Sequence, residues 1–498
     1  MRDASGDSNR LLATAIAAAT LIAIAAVGQS LFFGPYLNMT LAPLAGLAAA
    51  VAVRERIGAT AAAAVGVLGG SLLGAAIASP AWASPVDWLP TVAVAAGIAA
   101  VIAFGAAAVV AADERAARLF SGVCVVLVLA AMCLSVFDRV NQPLAGGGTL
   151  LTAIAPASDS VRIVGDETMF ALSIRGFMEH KPYYPTMRDL LLRRNVELVG
   201  SVETRVPMSY RLPTLYALLA ALGGSGNALL AALLALASAA VASAYLLCRR
   251  FVAEQFGLLG AVSVAACLAG YAGGVRLLDS EYWAGMLGVV FLAALVWSGA
   301  KNGRTWLFVS LAAAVAAALI RELGIAFLLV GAAASLAPGA GTRLRRVAPW
   351  LVGIVAALAV YAVHWRSALA VIATLPPATE PAQVSWIQPF GIPLASAVWF
   401  TGVFMKLGLV TAIVLFVVGV LGALVSPATF RDRLAMGLVA LGGVVVSLFF
   451  GAAGNVGVGR LTPPYWAMLF VPSLLACVPL LLARWRGAAP GLTNSASR

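Results

Sequence analysis

The stretch GNALLAALLALASAAVASAYLLC, Gly226 to Cys248, decides the fold. It runs 23 residues without a charge and ends at Arg249-Arg250. A helix needs roughly 20 apolar residues to cross a hydrocarbon layer about 30 Å thick, so this run reads as a membrane span. Runs of the same kind recur through the chain. The 498 residues are 62% hydrophobic and only 10% charged, with mean hydropathy +0.99, which excludes a soluble domain of this length. Candidate spans fall near 11–33, 37–53, 58–80, 89–111, 117–137, 226–248, 256–275, 282–300, 305–320, 322–338, 348–364, 395–424, 434–452 and 464–483. The expected fold class is therefore all-α, a polytopic membrane protein of about 14 helices.

The net charge of +12 is not a nucleic-acid signal, because the basic residues sit in small clusters between apolar runs. With the N-terminus in the cytoplasm, the cytoplasmic segments collect 18 of the 32 Lys and Arg residues. The long loop 138–211 takes nine more and lies outside. Short loops rich in Lys and Arg belong inside and long loops are exempt, so the expected topology has both termini in the cytoplasm. Met1 to Arg10 leads into the first span without a convincing cleavage site, which reads as an uncleaved anchor. Cys124, Cys133, Cys248, Cys267 and Cys477 all lie in apolar segments and read as small buried hydrophobes. With two histidines in the chain, a multi-histidine metal site is excluded.

Two parts are expected. Residues 1–115 form a four-helix addition rich in Ala, Gly and Val, whose small residues suit close helix packing. Residues 116–498 carry the charged outward turns and the loop 138–211. Within the loop, Gly165-Asp166-Glu167 precedes a helical pattern from Thr168 to Met178, with Phe170, Ile174 and Phe177 on one face. Pro182 and Pro185 bracket what reads as an extended Tyr183-Tyr184 turn. Met187 to Glu197 is again helical, and Thr214 to Leu222 reads as a helix in the membrane interface ending at Gly223-Gly224.

Taken in order, Asp166-Glu167, Gly176, Pro182-Tyr183, Pro213-Thr214-Leu215-Tyr216, Arg321-Glu322-Leu323-Gly324 and Gly459-Arg460 to Pro464 resemble the GT-C superfamily of integral-membrane glycosyltransferases. The nearest likeness is to the protein O-mannosyltransferase, aminoarabinose transferase and glycosyltransferase-39-like group, over about 138–483. The pattern departs from that group in having about five spans before the acidic pair, a long linker from Phe137 to Asp166, and no large soluble C-terminal domain.

The resemblance implies an enzyme that transfers a hexosyl or pentosyl group from a polyprenyl-phosphate donor to an acceptor hydroxyl. The acceptor would be a glycan, lipid or protein on the outer face of the cytoplasmic (inner) membrane. It implies membrane lipids as further partners and no nucleic acid. It requires no cofactor, while leaving room for a divalent metal, Mg or Mn.

Asp166 is the expected catalytic base, since glycosyl transfer to a hydroxyl needs a carboxylate to take the proton; an Asp there equally suits a helix N-cap. Glu167 would bind a metal, orient Asp166 or be solvated; adjacent helical residues do not share a face. Arg321 and Glu322 interrupt two apolar segments, where a charge calls for a partner or a pathway, and Arg321 suits a lipid phosphate. The alternative is an ordinary water-exposed hairpin. Arg460 is a second phosphate candidate or a snorkelling surface residue. Arg276, with Asp279 and Glu281, would line a sugar pocket or form loop salt bridges. His180 and Tyr183 would meet the donor headgroup, or belong to a solvated loop. His364 reads as a satisfied helix-end residue, and 366–394 as a lid or a connector. The rival function is a polytopic transporter or lipid flippase, which shares the spans but favours internal repeats and midplane charges.

Overall fold

The computed structural model describes residues 149, 154, 166–194, 205, 207–223, 226–251, 260, 261, 263–265, 267, 268, 277–299, 303–337, 343–375, 384–387, 409–424, 429–454, 461–462 and 468–485. The expected N-terminal addition, residues 1–115, lies outside these, as do Arg276 and Arg460.

Four helices among the described residues are long and apolar enough to cross a membrane: α4 (Gly226–Phe251), α5 (Ser280–Trp297), α6 (Gly303–Ile320) and α8 (Arg343–Ile372). Before them come α1 (Asp166–Met178), α2 (Tyr183–Arg194) and α3 (Thr214–Ala221); between α6 and α8 lies α7 (Ile325–Leu336). Three more follow: α9 (Leu409–Leu424), α10 (Phe430–Phe449) and α11 (Val471–Trp485). The described chain is that of a helical, membrane-embedded protein.

The core forms around α5. In its most apolar window 83% of residues are buried, against about a third in α4, α6 and α8, so α5 is the inner helix of the bundle. It packs against α4, α6 and α11. Helix α8 is its opposite. Val347, Trp350, Ala357, His364 and Ala368 form a narrow buried seam. Leu351, Val352, Val355, Val363 and Leu369 are exposed, and such an apolar outer face suits contact with lipid chains.

Helices α6 and α7 form a hairpin. A Cβ at Gly353 of α8 would lie within 4 Å of Leu311 and Val315 from α6 and also of Leu328 from α7. A continuous rod would hold residues 315 and 328 about 20 Å apart at 1.5 Å per residue, so the chain must double back between them. It does so at Arg321, whose extended backbone (φ −143°, ψ 130°) ends α6, followed by a 3-10 turn, Glu322–Gly324. Gly324 makes the turn tight: a Cβ there would run into the Ala317 carbonyl of α6.

The loop helices follow the expected pattern with two corrections. Helix α1 buries Phe170 and Ile174 as the spacing requires. The Tyr183-Tyr184 pair, expected as an extended turn, instead opens α2. Pro185 does not prevent this, because first-turn N–H groups have no helical acceptor and proline costs nothing there. Helix α8 also runs past its expected end at 364 to Ile372. The described residues are consistent with the expected all-α class, with one small sheet beside the helices. Val384–Ile387 (β1) pairs antiparallel with Phe450–Gly454 (β2), which pairs with Leu461–Thr462 (β3). The expected span 434–452 hid this change, since an uncharged apolar run does not by itself distinguish helix end from strand.

Candidate functional site

The start of α5, the tip of the α6–α7 hairpin, the last turns of α8 and the loop helices meet at one end of the bundle. Arg321, at the hairpin tip, is only 1% exposed, which excludes the ordinary water-exposed hairpin. Its Nε lies 2.8 Å from Glu281 Oε1, and its Nη1 donates to Glu322 Oε2 at 2.8 Å. Glu281 is fully buried in the first turn of α5. The helix N-terminus favours its negative charge. Ser280 Oγ donates to its Oε2 at 3.0 Å, and Arg211 Nη1 approaches Oε1 at 3.5 Å. Two guanidinium groups and two carboxylates thus share one desolvated corner. A buried charge stripped of its partner costs about 3–5 kcal/mol, so each member depends on the others.

Glu322, with a quarter of its side chain exposed, is where this cluster opens. Its Oε1 faces His364 Nε2 at 3.6 Å, and His364 Nδ1 lies 3.0 Å from the Tyr184 hydroxyl. Tyr361 fixes the turn from behind, with its hydroxyl within reach of the carbonyls of Ala318 (2.7 Å) and Glu322 (3.1 Å). Arg188 of α2 donates to Thr374 at 3.0 Å, tying the loop helices to the end of α8.

An aromatic stack holds the loop helices together: Phe177 on Tyr183 at 5.4 Å, Tyr183 on Tyr216 at 6.3 Å, and Phe170 on Tyr216 at 5.3 Å between ring centroids. The Tyr183 hydroxyl donates to the Arg211 carbonyl at 2.7 Å, which fixes the backbone that carries the second guanidinium. Burial pushes the phenols of Tyr183 and Tyr216 well above their ordinary range, so both stay protonated. The buried Tyr216 hydroxyl has no hydrogen-bond partner among the described residues.

The sequence-selected residues divide accordingly. Arg321 and Glu322 come together, and both belong to the cluster. Tyr183 is buried and serves as a support for Arg211. His180 sits exposed on the turn between α1 and α2, with the left-handed φ of 56°. Asp166 and Glu167 form the first turn of α1, and the description of both stops at the backbone. Arg276 and Arg460 lie outside the described residues. Sequence reasoning undervalued Glu281 and His364, and passed over Arg211 and Tyr184. Two signals were available: a carboxylate heading an apolar run, and one of only two histidines placed inside an apolar helix. Among the described residues, no group of three or more His, Cys, Asp or Glu is placed to hold a metal ion.

The charges of Arg321 are engaged on both sides, so an incoming phosphate would compete with Glu281 and Glu322 for it. Glu322 and Tyr184, both part-buried, form the part of the corner nearest the exterior, with His364 buried between them. No known protein family, curated protein or solved structure matches this chain.

Proposed function

We propose that the chain is a GT-C-like glycosyltransferase of the inner membrane. It transfers a sugar from a polyprenyl phosphate to an acceptor hydroxyl on the outer face, with residues 116–498 as the catalytic module. The supporting observation is the meeting at one bundle end of α1, which begins at Asp166, with the corner containing Arg321 and Glu322. Phe170 of α1 stacks on Tyr216 of α3, and Tyr216 is close enough to Arg211 and Glu281 to feel their charges.

In this reading Asp166 takes the acceptor proton as the new glycosidic bond forms. Its negative charge also favours the oxocarbenium-like transition state. Arg321, with Arg460 as a second cation, stabilises the departing phosphate. Arg321 does this while remaining paired with Glu281 and Glu322, which hold its guanidinium in place. The reading places both termini and the Arg-rich short loops in the cytoplasm and the loop helices outside.

The test uses purified full-length protein in lipid vesicles with radiolabelled polyprenyl-phosphate sugars and a panel of glycan, lipid and protein acceptors. Wild type transfers label and Asp166→Asn loses at least about 100-fold of the rate. Equal transfer by the two would sink the assigned base. Movement of the lipid across the bilayer with no transfer would favour the transporter or flippase instead.

A further inference from the structure

Glu322, His364 and Tyr184 stand in series, and the mechanism above gives the last two nothing to do. Glu322 Oε2 is held by Arg321 Nη1 at 2.8 Å, while Oε1 faces His364 Nε2 at 3.6 Å. The other ring nitrogen lies 3.0 Å from the Tyr184 hydroxyl. His364 is 3% exposed, whereas Tyr184 is half-buried. A carboxylate, an imidazole and a hydroxyl in that order is how a base is oriented and a hydroxyl made to exchange its proton.

The charge beside the ring favours one tautomer: at 3.6 Å Nε2 makes no hydrogen bond to Glu322, but it is the nitrogen that faces the carboxylate. An ionised carboxylate only accepts, so the nitrogen facing Glu322, Nε2, carries the hydrogen. Nδ1 of the neutral ring then accepts the Tyr184 O–H. The Glu322 carboxylate cannot turn away readily, because Arg321 holds one of its oxygens and is itself held by Glu281. The groups facing His364 are Glu322 and Arg321 from the hairpin tip, Tyr184 from α2 and the backbone of Tyr210.

We infer that Glu322, His364 and Tyr184 form a proton relay that ends at the Tyr184 hydroxyl and delivers a proton to the leaving group of a lipid-linked phosphate ester. The identity of that substrate rests on the transferase reading. The relay shares Glu322 with Arg321, so it lies on the phosphate side of the site. As the bond between the anomeric carbon and the phosphate oxygen breaks, its electron pair stays on that oxygen. The oxygen takes the Tyr184 proton, and the phenol is refilled by the Nδ1 proton of the His364 imidazolium. Neutral His364 remains, with Nε2–H toward Glu322. Asp166 gains the acceptor proton in the same turnover, so protons balance. Tyr184 is the catalytic residue of the three; His364 and Glu322 act through it.

The chain has two histidines, so nitrogen-15 histidine labelling of the full-length protein in lipid nanodiscs resolves the relay without any substrate. His180→Asn assigns the spectrum, and asparagine tolerates the left-handed φ of 56° there. His364 is expected as the Nε2–H tautomer when neutral. Tyr184→Phe should shift its Nδ1 resonance, and Glu322→Gln should weaken the tautomer preference. A His364 found as the Nδ1–H tautomer, or one whose resonances ignore both substitutions, overturns the relay.

The kinetic signature is separate. Wild-type transfer should fall at high pH as His364 loses its proton, and Tyr184→Phe should transfer about 100-fold more slowly with that alkaline limb gone. Wild-type rate and an intact limb in Tyr184→Phe would remove the relay from the reaction and leave the transferase reading standing. Absence of transfer by wild type would count against the transferase reading alone, with the relay judged by the nitrogen shifts.

Discussion

Two sets of ion pairs occupy the same end of this molecule, and they differ in one respect. On the surface of α1, Arg175 Nε meets Glu179 Oε1 at 2.8 Å and Lys181 Nζ meets Glu179 Oε2 at 2.6 Å. In the corner, Arg321 meets Glu281 and Glu322 at 2.8 Å each. The distances match; the solvent does not. Lys181 is 59% exposed, while Glu281 and Arg321 are at 0 and 1%. Water screens the first set and makes it nearly dispensable. The second set has given up its hydration and depends on mutual contact. A surface pair like the first needs no functional explanation. A buried set that an apolar core could replace at equal or better stability does.

The largest effect expected from this contrast is at Glu281. Glu281→Ala leaves Arg321 and Arg211 facing a buried void where the charge was. It should cost about 3–5 kcal/mol, read as a lowered thermal unfolding midpoint in detergent. A loss below about 1 kcal/mol would mean that the corner is wetter than its burial indicates. Gly324→Ala comes next. Its methyl would meet the Ala317 carbonyl, so the hairpin tip must shift, at about 1–3 kcal/mol, carrying Arg321 with it. Transfer activity should drop further than the stability loss accounts for, and an unchanged rate would detach the tip from the site.

How much of this could be read from the sequence depended on what each residue's neighbours are in space. Spans such as Gly226–Phe251 were legible because hydropathy is a property of a continuous run. The short helix from Thr214 was legible too, since Gly223 with φ of 100° stops it where the apolar pattern ends. Arg321-Glu322 stood out as charge inside apolar sequence. Its partner Glu281 is 40 positions earlier and looked like one of several turn charges. His364 sits 180 residues from Tyr184, and nothing local to either marks the contact. The strand Val384–Ile387 depends on a partner at 450–454, which periodicity over four residues cannot reveal.

Smaller substitutions sharpen the contrast further. Tyr361→Phe removes the hydroxyl behind the hairpin turn and should cost about 1 kcal/mol, measured by denaturation. Glu179→Gln should cost less than about 0.5 kcal/mol, as an exposed helix pair does. Hydrogen bonds from Lys181 and then Arg175 hold the Glu179 carboxyl below its ordinary 4.5. Its small contribution is therefore fully present above pH 4.5 and lost as pH falls through the lower folded value. A wild-type minus Glu179→Gln difference that instead grew on acidification would contradict that sign.

The central claim is that the buried corner is kept for chemistry rather than for stability. The double variant Glu281→Gln/Arg321→Met removes one charge of each sign and so leaves the corner's net charge unchanged. It should stay folded and lose less stability than Glu281→Ala, since Arg211 and Glu322 lose a partner each but the corner keeps its charge balance and its volume. Its transfer of sugar from polyprenyl phosphate should fall by about 100-fold or more, the scale on which removing a charge that stabilises a transition state is felt. A folded double variant that transfers at the wild-type rate would contradict the account.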